Sequence, residues 1–363
     1  MRVALTGGGT GGHILPALTV LEALRSCARD GVDARFFGPE NRGERALVEA
    51  GGVDFEPVPA AALHGKGPMR VARGLATLAR GTFVARRKLA AFRPDVVFGT
   101  GGYGSFPVSL AARLLRVPML VYLPDVLPGW AVRAERHLAT RMVTTTTAAL
   151  EWLPAHKTTV TGYPVRRAFF DQTRQQARAA LGLSPSERVV VVAGATQGAH
   201  ALNQAVFRSL RDIVEECTLF HITGQTDFAQ AGGFHSELGP DLQGRYRVHS
   251  YRDDLAPVLL SADIAVMRAG ASALGELPAA NLPAILVPAG YAGGHQGANA
   301  RWLADAGAAV VMLESELHGL AARLLALLDD KARLAAMRTA AAALARPQAA
   351  EAIAGVILEV ARK

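Results

Sequence analysis

Residues 262–299 have the sequence ADIAVMRAGASALGELPAANLPAILVPAGYAGGHQGAN, in which a strand, a glycine turn and a helix start follow one another. The apolar run at 264–267 predicts a buried strand that ends where Arg268 and Gly270 open a tight turn. Ser272 is a candidate helix N-cap. The turn therefore predicts free backbone amides and a helix N-terminus beside a guanidinium, which together favour diphosphate binding.

The carboxylate of Glu276 completes this predicted nucleotide site. It lies one turn into the helix, where it can accept both hydroxyls of a ribose whose phosphates sit on the amides. Pro278 follows closely, and a proline inside a helix kinks or ends it. We therefore expect a nucleotide cradle on a short helix.

Apolar strands alternate with helical segments along the chain. Candidate strands lie at 3–6, 34–37, 96–99, 119–122, 142–145, 159–161, 189–193, 219–223, 246–249, 264–267, 284–287 and 309–312. Near-continuous apolar strands separated by amphipathic helices are typical of parallel sheets covered on both faces. The predicted fold is therefore α/β, with two doubly wound domains.

A turn signal at 162–164 marks the predicted domain boundary. We expect an N-terminal domain over 1–163 and a C-terminal domain over 164–346, the latter opening with a helix over 166–181. The residues after Pro347 predict a last amphipathic helix within 347–363, which we expect to pack back toward the N-terminal domain.

Composition places the chain among globular proteins of a reducing compartment. It has 363 residues, half of them apolar, and only two cysteines, Cys27 and Cys217, which give no disulfide framework. The first apolar run breaks at Gly7, so we expect no signal peptide. We also expect no apolar stretch of membrane-spanning length.

The excess positive charge lies in the first half. Residues 1–163 hold 20 Lys and Arg against 12 Asp and Glu, whereas the remainder holds 19 of each sign. Between Glu56 and Asp95 there is no acid, and the basic residues are Lys66, Arg70, Arg73, Arg80, Arg86, Arg87, Lys88 and Arg93. Apolar residues are interleaved with them: Met69, Val71, Leu75, Leu78, Phe83 and Val84.

A basic helix with an apolar face is typical of a segment that lies on an anionic membrane, so 69–93 predicts a membrane-facing surface. The alternative is a solvated basic face over an ordinary core stripe. Nucleic acid is not expected as a partner, because the stretch lacks stacking aromatics and no nucleic-acid-binding motif is present.

The first glycine loop has a common alternative interpretation. Gly7, Gly9 and Gly12 fit G-x-G-x-x-G between a strand and a helix, which is typical of dinucleotide binding. That fold requires an acidic residue at the end of the second strand, and here the strand runs into Gly38. A purely structural role, close packing of helix on strand, stays open.

Further chemistry gathers at the same predicted sheet edge. A second glycine loop, 99–104, follows another buried strand. His13 opens the first helix, where the helix dipole favours a neutral imidazole that can act as a base, although a capping role is an alternative. Asp125 follows the strand at 119–122 and is either a site residue or a turn residue. The second half repeats the pattern of strand, glycine turn, histidine and helix from 189 onward.

Seven motifs spread along the chain match one family. They are GGTGGH at 8–13, GGY at 101–103, GYPVR at 162–166, TQGA at 196–199, YRDD at 251–254, RAGASALGE at 268–276 and QGAN at 296–299. With them the chain resembles the MurG family of peptidoglycan glycosyltransferases.

The resemblance implies a GT-B fold with two Rossmann-like domains facing a central cleft. It implies an inverting, metal-independent enzyme with no cofactor at the cytoplasmic face of the cell membrane. The expected reaction moves N-acetylglucosamine from UDP-N-acetylglucosamine to a lipid-linked muramoyl-pentapeptide, lipid I, and forms lipid II for the cell wall. A different glycolipid transferase, a UDP-sugar epimerase and an inactive membrane scaffold stay open as alternatives.

The resemblance also implies roles for individual residues. His13 is the candidate base, with Asp125 as a second candidate. The residues expected to contact the acceptor and sugar are Thr10, Gly11, Gly12, Gly101, Gly102 and Tyr103. Those expected to bind the donor are Arg166, Thr196, Gln197, Gly198, Tyr251, Arg252, Arg268, Gly270, Ala271, Ser272, Ala273, Leu274, Gly275, Glu276, Gln296 and Asn299.

Four positions depart from the family pattern. Asp125 stands where an asparagine is usual, Thr196 replaces a serine, Tyr163 replaces an asparagine, and His295 replaces a glutamine. These changes preserve most expected nucleotide contacts and affect the region of the donor sugar and the base.

Overall fold

The computed structural model describes residues 1–8, 11–28, 31–41, 43–62, 68–194, 199–290 and 294–362. Contacts within the chain divide it into two compact units. The first unit comprises Met1–Val165 together with Gln348–Lys363, and the second comprises Arg166–Pro347.

The first unit is built on a seven-stranded parallel sheet in the order β3-β2-β1-β4-β5-β6-β7. Its strands are β1 (Arg2–Thr6), β2 (Asp33–Gly38), β3 (Asp54–Pro57), β4 (Val96–Gly99), β5 (Met119–Leu123), β6 (Arg141–Thr144) and β7 (Thr158–Val160). Its helices, numbered in chain order with those of the second unit, are α1 (Gly11–Cys27), α2 (Glu44–Ala50), α3 (Pro68–Phe92), α4 (Phe106–Leu115), α5 (Trp130–Glu135) and α16 (Ala349–Ala361).

The centre of this sheet explains where its loops meet. β4 and β5 are buried at every residue, as expected for strands with helices on both faces. β1 pairs with both β2 and β4, so the strand order reverses beside it. In open α/β sheets, ligands bind beyond the carboxyl ends of the strands at such a reversal.

The second unit repeats the architecture with six parallel strands in the order β10-β9-β8-β11-β12-β13. They are β8 (Val189–Ala193), β9 (Thr218–Ile222), β10 (Tyr246–His249), β11 (Ile264–Met267), β12 (Ala284–Leu286) and β13 (Ala309–Val311). The helices are α6 (Arg174–Ala180), α7 (His200–Arg208), α8 (Leu210–Glu216), α9 (Gln225–Glu237), α10 (Pro240–Gln243), α11 (Ala256–Ser261), α12 (Ala273–Ala279), α13 (His295–Asp305), α14 (Leu320–Asp329) and α15 (Lys331–Leu344).

Two doubly wound α/β units confirm the predicted fold class, and the predicted strands match the observed ones within a residue or two at each end. β3 is missing from the prediction. Its sequence, DFEP, has only one fully buried residue, because the strand lies at the sheet edge.

The predicted helix over 166–181 is wrong in its first half. A short 3-10 turn covers Arg167–Phe169, and α6 starts only at Arg174. The cause is a capping box, in which the Thr173 hydroxyl accepts from the Gln176 amide at 3.2 Å and the Gln176 side chain accepts from the Thr173 amide at 2.8 Å.

Contrary to the expectation from the sequence, one stretch of the described chain, Lys331–Ala361, is long and apolar enough by composition to cross a membrane. It consists of two helices, α15 and α16, separated at 345–348 around Pro347. Each helix is shorter than the roughly 20 residues that a spanning helix needs. The apolar side chains of α16, Ile353, Ala354, Ile357 and Val360, are buried in the first unit, where the helix packs on α1, β4 and β5.

Candidate functional site

Two glycine loops of the first unit leave the same edge of its sheet. Thr6 at the end of β1 lies opposite Gly99 at the end of β4, so the chain turns out of both strands at one level. The Thr100 hydroxyl joins the two turns, because it donates to the His13 carbonyl at 2.6 Å. Gly11 and Gly12 are the first residues of α1, and Thr10 lies outside the described residues.

The backbones of these loops touch. Gly102 has a φ of +81°, and a Cβ there would lie 2.2 Å from the Gly8 carbonyl oxygen. Gly101 also has a φ of +81°. The two loops can therefore approach this closely only because these residues have no side chains. The predicted acceptor residues Gly101 and Gly102 thus lie against the first loop, and the half-buried Tyr103 follows them.

His13 faces the second glycine loop. A Cβ on Gly101 would lie 3.9 Å from the His13 ring at Cδ2 and 3.9 Å from the Tyr122 carbonyl oxygen. Asp125 follows β5 at the same sheet edge. Burial raises the pKa of the Tyr122 phenol well above its usual range, and the Asp125 carboxylate adds to that shift. His13 and Asp125 therefore both lie around the end of β5.

In the second unit, the loop after β8 carries three predicted donor residues, Thr196, Gln197 and Gly198. All three lie outside the described residues. The chain is described again from Ala199, which is buried, and α7 begins at His200.

The turn after β11 has the amide arrangement that its sequence predicts. The amides of Ala273 and Leu274 donate to the carbonyls of Gly270 and Ala271 at 3.0 and 3.1 Å. Within the described part of the chain, the amides of 270–272 donate to no backbone carbonyl. Three consecutive donors at the end of a central strand can cradle phosphate oxygens.

Ser272 lies at the N-cap of α12, as predicted, and has helical backbone angles, but it makes no side-chain capping bond. It hydrogen-bonds the Glu276 carboxylate instead. α12 is only seven residues long and includes Pro278, so the short helix expected from the proline is observed.

Arg268, a predicted phosphate ligand, is paired with other residues of the second unit. Its side chain is 5% exposed, forms an ion pair with Glu314 and donates to the Val287 carbonyl at 3.1 Å. The guanidinium is therefore committed to holding the end of β11 against the neighbouring segment. Its Nε is buried and has no hydrogen-bond partner among the described residues.

Glu276 and Arg166 are close enough for their charges to interact, although they are far apart in sequence. Burial raises the pKa of the Glu276 carboxyl, while the positive charge of Arg166 and the Ser272 hydroxyl oppose that rise. Arg166 is partly exposed and donates to the Asp253 carbonyl at 2.6 Å. This pair gives the site a cation and a carboxylate, which suit a diphosphate and a ribose.

Two further predicted donor residues, Gln296 and Asn299, lie on α13. Gln296 accepts from the Ala289 amide at 2.9 Å through Oε1, and the buried Asn299 donates to the Ala269 carbonyl at 3.1 Å. Gln296 and Asn299, both on α13, therefore tie the ends of β11 and β12 together.

The predicted uracil contacts lie in the segment after β10. Tyr251 is 48% exposed, so its ring is open to stacking with a base. Arg252 donates to the Asp254 carbonyl at 2.8 Å, which holds this segment in a turn.

A buried polar network at the start of α7 was not predicted. Asp227 bonds His200 at 2.8 Å and Asn203 at 2.6 Å, and Asn203 bonds the buried His221 at 3.0 Å. Burial lowers the pKa of His221 to about 3, so this ring is neutral. The histidine in the repeated strand-turn-helix pattern was the only sequence signal, since the partners come from other elements.

Comparisons with known proteins agree with this architecture. The glycosyltransferase family 28 N-terminal domain matches residues 3–144, and the family 28 C-terminal domain matches residues 188–353. The crystal structure of MurG from Acinetobacter baumannii superposes with a TM-score of 0.74 at 25% identity, covering 99% of both chains. The fold alone is shared with UDP-GlcNAc 2-epimerase from Neisseria meningitidis, at a TM-score of 0.67 and 14% identity over 99% of this chain and 100% of that one.

A full-length relative from Desulforudis audaxviator is 38% identical over 372 residues, which cover 100% of this chain and 99% of that protein. It is named UDP-N-acetylglucosamine--N-acetylmuramyl-(pentapeptide) pyrophosphoryl-undecaprenol N-acetylglucosamine transferase. Together with both family 28 domains and the MurG fold, this identity over the whole length means that the chain belongs to the MurG family of glycosyltransferases.

Proposed function

We propose that the protein transfers N-acetylglucosamine from UDP-N-acetylglucosamine to a lipid-linked muramoyl-pentapeptide, with inversion at the anomeric carbon. Family membership supports the substrate pair. The observation that carries the proposal is the turn after β11, where the amides of 270–272 donate to no backbone carbonyl of the described chain and the charges of Glu276 and Arg166 interact nearby.

The second unit holds the donor in this proposal. The amides of 270–272 and the Arg166 guanidinium contact the diphosphate, and Glu276 accepts hydrogen bonds from the ribose hydroxyls. Tyr251 and Arg252 contact the uracil, and the Gln296 side chain contacts the sugar. Thr196, Gln197 and Gly198 contribute to the same phosphate region.

The first unit holds the acceptor. Its diphosphate lies on the two touching glycine loops, with contacts from 10–12 and 101–103. Backbone amides at the carboxyl ends of parallel strands are suited to such an anion. The acceptor hydroxyl then lies near His13, in the first turn of α1, and Asp125, which follows β5.

The proposed transfer needs no reactant besides the donor and the acceptor. The acceptor hydroxyl oxygen forms a bond to the anomeric carbon, while the bond from that carbon to the diphosphate oxygen breaks and UDP leaves with the electron pair. His13 accepts the hydroxyl proton, assisted by Asp125. Amides of 270–272 and Arg166 stabilise the negative charge that develops on UDP.

The location we propose is the cytoplasmic face of the cell membrane, without a spanning helix. α3 packs on α4 through its buried side and exposes Met69, Leu75 and Phe83, at 69%, 53% and 69%. Met69, Arg73, Arg80, Phe83 and Arg87 recur at spacings of three, four or seven residues, so they share one helix face. An apolar and basic face of this kind binds anionic lipid.

Transfer of labelled sugar tests the function. Purified protein is incubated with UDP-N-acetylglucosamine and a lipid-linked muramoyl-pentapeptide, with and without EDTA. We expect a lipid-linked disaccharide of inverted anomeric configuration in both samples. Absence of product from folded protein, or conversion of the UDP-sugar without acceptor, contradicts the proposal.

His13→Ala tests the base separately. Loss of a general base lowers kcat by about 10²–10⁴-fold, with little change in the donor KM. Asp125→Asn is the matched variant, since it keeps the shape of the side chain and removes its charge. Unaltered turnover of His13→Ala assigns the base role to another group.

A further inference from the structure

Glu135, at the end of α5, is a fully buried acid that none of the expected roles includes. Its Oε1 lies 2.6 Å from the Ser105 hydroxyl and 2.8 Å from the Ser109 hydroxyl, both on or next to α4. Its Oε2 is buried and has no hydrogen-bond partner among the described residues. An ionised carboxylate with one bare oxygen is costly in such a place, whereas a neutral acid is tolerated more easily.

The hydrogen count at Ser105 distinguishes the two forms of Glu135. The Ser105 oxygen lies 2.8 Å from the Gly102 carbonyl as well as 2.6 Å from Glu135. A hydroxyl has one hydrogen and a carbonyl can only accept. If Glu135 is ionised, Ser105 satisfies either the carboxylate or Gly102. If Glu135 is protonated, it donates to Ser105, and Ser105 donates to Gly102.

The surroundings of Glu135 extend its protonated form to higher pH than an ordinary carboxyl allows. Burial raises its pKa to about 6, and the hydroxyls of Ser105 and Ser109 oppose the rise. Three charged or titratable side chains on α5 and on the elements that pack against it are exposed or bonded elsewhere. Arg113 on α4 is exposed, Tyr122 on β5 bonds Thr145 at 2.7 Å, and Arg133 on α5 donates to a backbone carbonyl at 3.0 Å.

Gly102 is one of the residues through which the second glycine loop touches the first. A Cβ on it would collide with the Gly8 carbonyl oxygen, so the direction of its peptide group controls how the loops fit. The Ser105 amide also donates to the Gly102 carbonyl, at a longer 3.3 Å. A hydrogen bond from the Ser105 hydroxyl to the Gly102 carbonyl therefore holds both loops in this geometry.

We propose that Glu135 is a positioning residue for acceptor binding: in its protonated form it donates to Ser105, which in turn fixes the Gly102 carbonyl and the paired glycine loops. The proposal rests on the proposed function, because it assigns these loops to the acceptor. It makes acceptor affinity, but not donor affinity, depend on the protonation of a residue that touches neither substrate.

Steady-state kinetics of three proteins test this proposal. The acceptor KM of the wild type is compared with that of Glu135→Gln between about pH 5 and pH 8, a range that spans the titration of a carboxyl with a raised pKa. The glutamine amide donates to Ser105 at every pH, so the ratio of wild-type to variant KM should rise severalfold with pH, while the donor KM ratio stays constant. Ser109→Ala removes a hydroxyl that lowers the Glu135 pKa, so it should move the rise to higher pH.

A direct measurement separates this proposal from the function. The NMR cross-peak of the Gly102 amide should shift with a midpoint near pH 6 in the wild type, and Glu135→Gln should abolish that titration. This readout needs no substrate, so it decides the positioning role even if wild-type protein transfers no sugar. A constant KM ratio across the pH range in an active enzyme, or a Gly102 amide that does not titrate, overturns the proposal.

Discussion

Arg268 and Glu276 belong to one segment, but they differ in burial and in their partners. Arg268 and Glu276 are eight residues apart and both were predicted to meet the nucleotide. Arg268 is buried and paired with Glu314, whereas the Glu276 carboxyl, although desolvated by burial, interacts with the charge of the partly exposed Arg166. Composition and spacing cannot distinguish them, because Glu314 comes from a distant segment.

Substitutions of Arg166 and Arg268 should have different effects: the first should weaken donor binding, and the second should lower the stability of the fold. Arg166→Met removes a cation from the donor site, so we expect the donor KM to rise about tenfold, or about 1.4 kcal/mol, with an unchanged Tm. Arg268→Met leaves Glu314 unpaired, so we expect a loss of about 2 kcal/mol in the free energy of unfolding. That figure is below the usual one for buried pairs because Glu314 is 37% exposed.

Thermal unfolding and donor titration on the same preparations check both variants. A donor KM that rises tenfold in Arg268→Met, with its Tm preserved, would restore the predicted phosphate contact of Arg268.

Glu276→Gln should weaken the enzyme and stabilise its fold. The amide accepts fewer hydrogen bonds from a ribose, so we expect the donor kcat/KM to fall about 10-fold to 100-fold. Burial raises the Glu276 pKa, so the wild type is most stable below the ordinary carboxyl pKa and loses that contribution as pH rises through the raised value. The Tm advantage of the variant should therefore be larger at pH 8 than at pH 4, measured by calorimetry. An advantage that shrinks with pH contradicts the shift.

At the level of elements, near-continuous apolar strands were predictable because each carries its own signal. β8 and β11 are buried at every residue, and their sequences show it directly. The edge strand β3 and the capping box before α6 were not predictable from apolar pattern, because one is half polar and the other depends on a local side-chain bond. The turn after β11 was predicted from its glycine, but the pairing of Arg268 required tertiary structure.

The contact between the two glycine loops predicts a severe effect of one methyl group. Gly102→Ala places a Cβ against backbone, 2.2 Å from the Gly8 carbonyl oxygen, so the loops must separate. We expect a loss of acceptor binding of at least about 100-fold and a destabilisation of about 3 kcal/mol.

Gly52→Ala is the matched control, because Gly52 also has a positive φ, of +69°, but has nothing within 4 Å of the added Cβ. It should cost about 1 kcal/mol and leave the acceptor KM unchanged. Equal effects of the two substitutions on acceptor KM would show that backbone strain, rather than loop contact, is responsible.

α3 offers a second prediction at this scale. Substituting Arg80, Arg86 and Arg87 by Glu reverses three exposed charges and leaves Lys88 in its ion pair with Glu56 at 2.6 Å. Each lost cation weakens binding to anionic vesicles by about 1 kcal/mol, so vesicle cosedimentation should fall at least 100-fold in affinity.

Phe83→Ser should weaken the same binding, and Phe228→Ser, which alters a 41% exposed phenylalanine of the second unit, serves as its control. Soluble-acceptor turnover should be retained in all of these variants. Vesicle binding that is indifferent to the α3 changes would leave the basic residues as an ordinary solvated face.

At the scale of the whole molecule, charge and chain path distinguish the two units. The net charge of +8 belongs entirely to residues 1–163, so the half proposed to meet a lipid-linked acceptor is also the half attracted to anionic lipid. The half proposed to hold the donor is balanced in charge, which suits exchange of a soluble nucleotide with the solvent. The sequence alone indicated this asymmetry, because net charge depends on composition and not on packing.

The last helix, α16, belongs to the first unit, and this affects the order in which the two units fold. α16 supplies Ile353, Ile357 and Val360 to a core otherwise made by residues before 166, yet a ribosome makes it only after the entire second unit. The amino-terminal half therefore emerges with an open hydrophobic groove along α1, while the carboxyl-terminal half can close on its own. During synthesis, we expect the second unit to reach its native state first. The first unit should expose apolar surface that chaperones can bind until α16 has been synthesised.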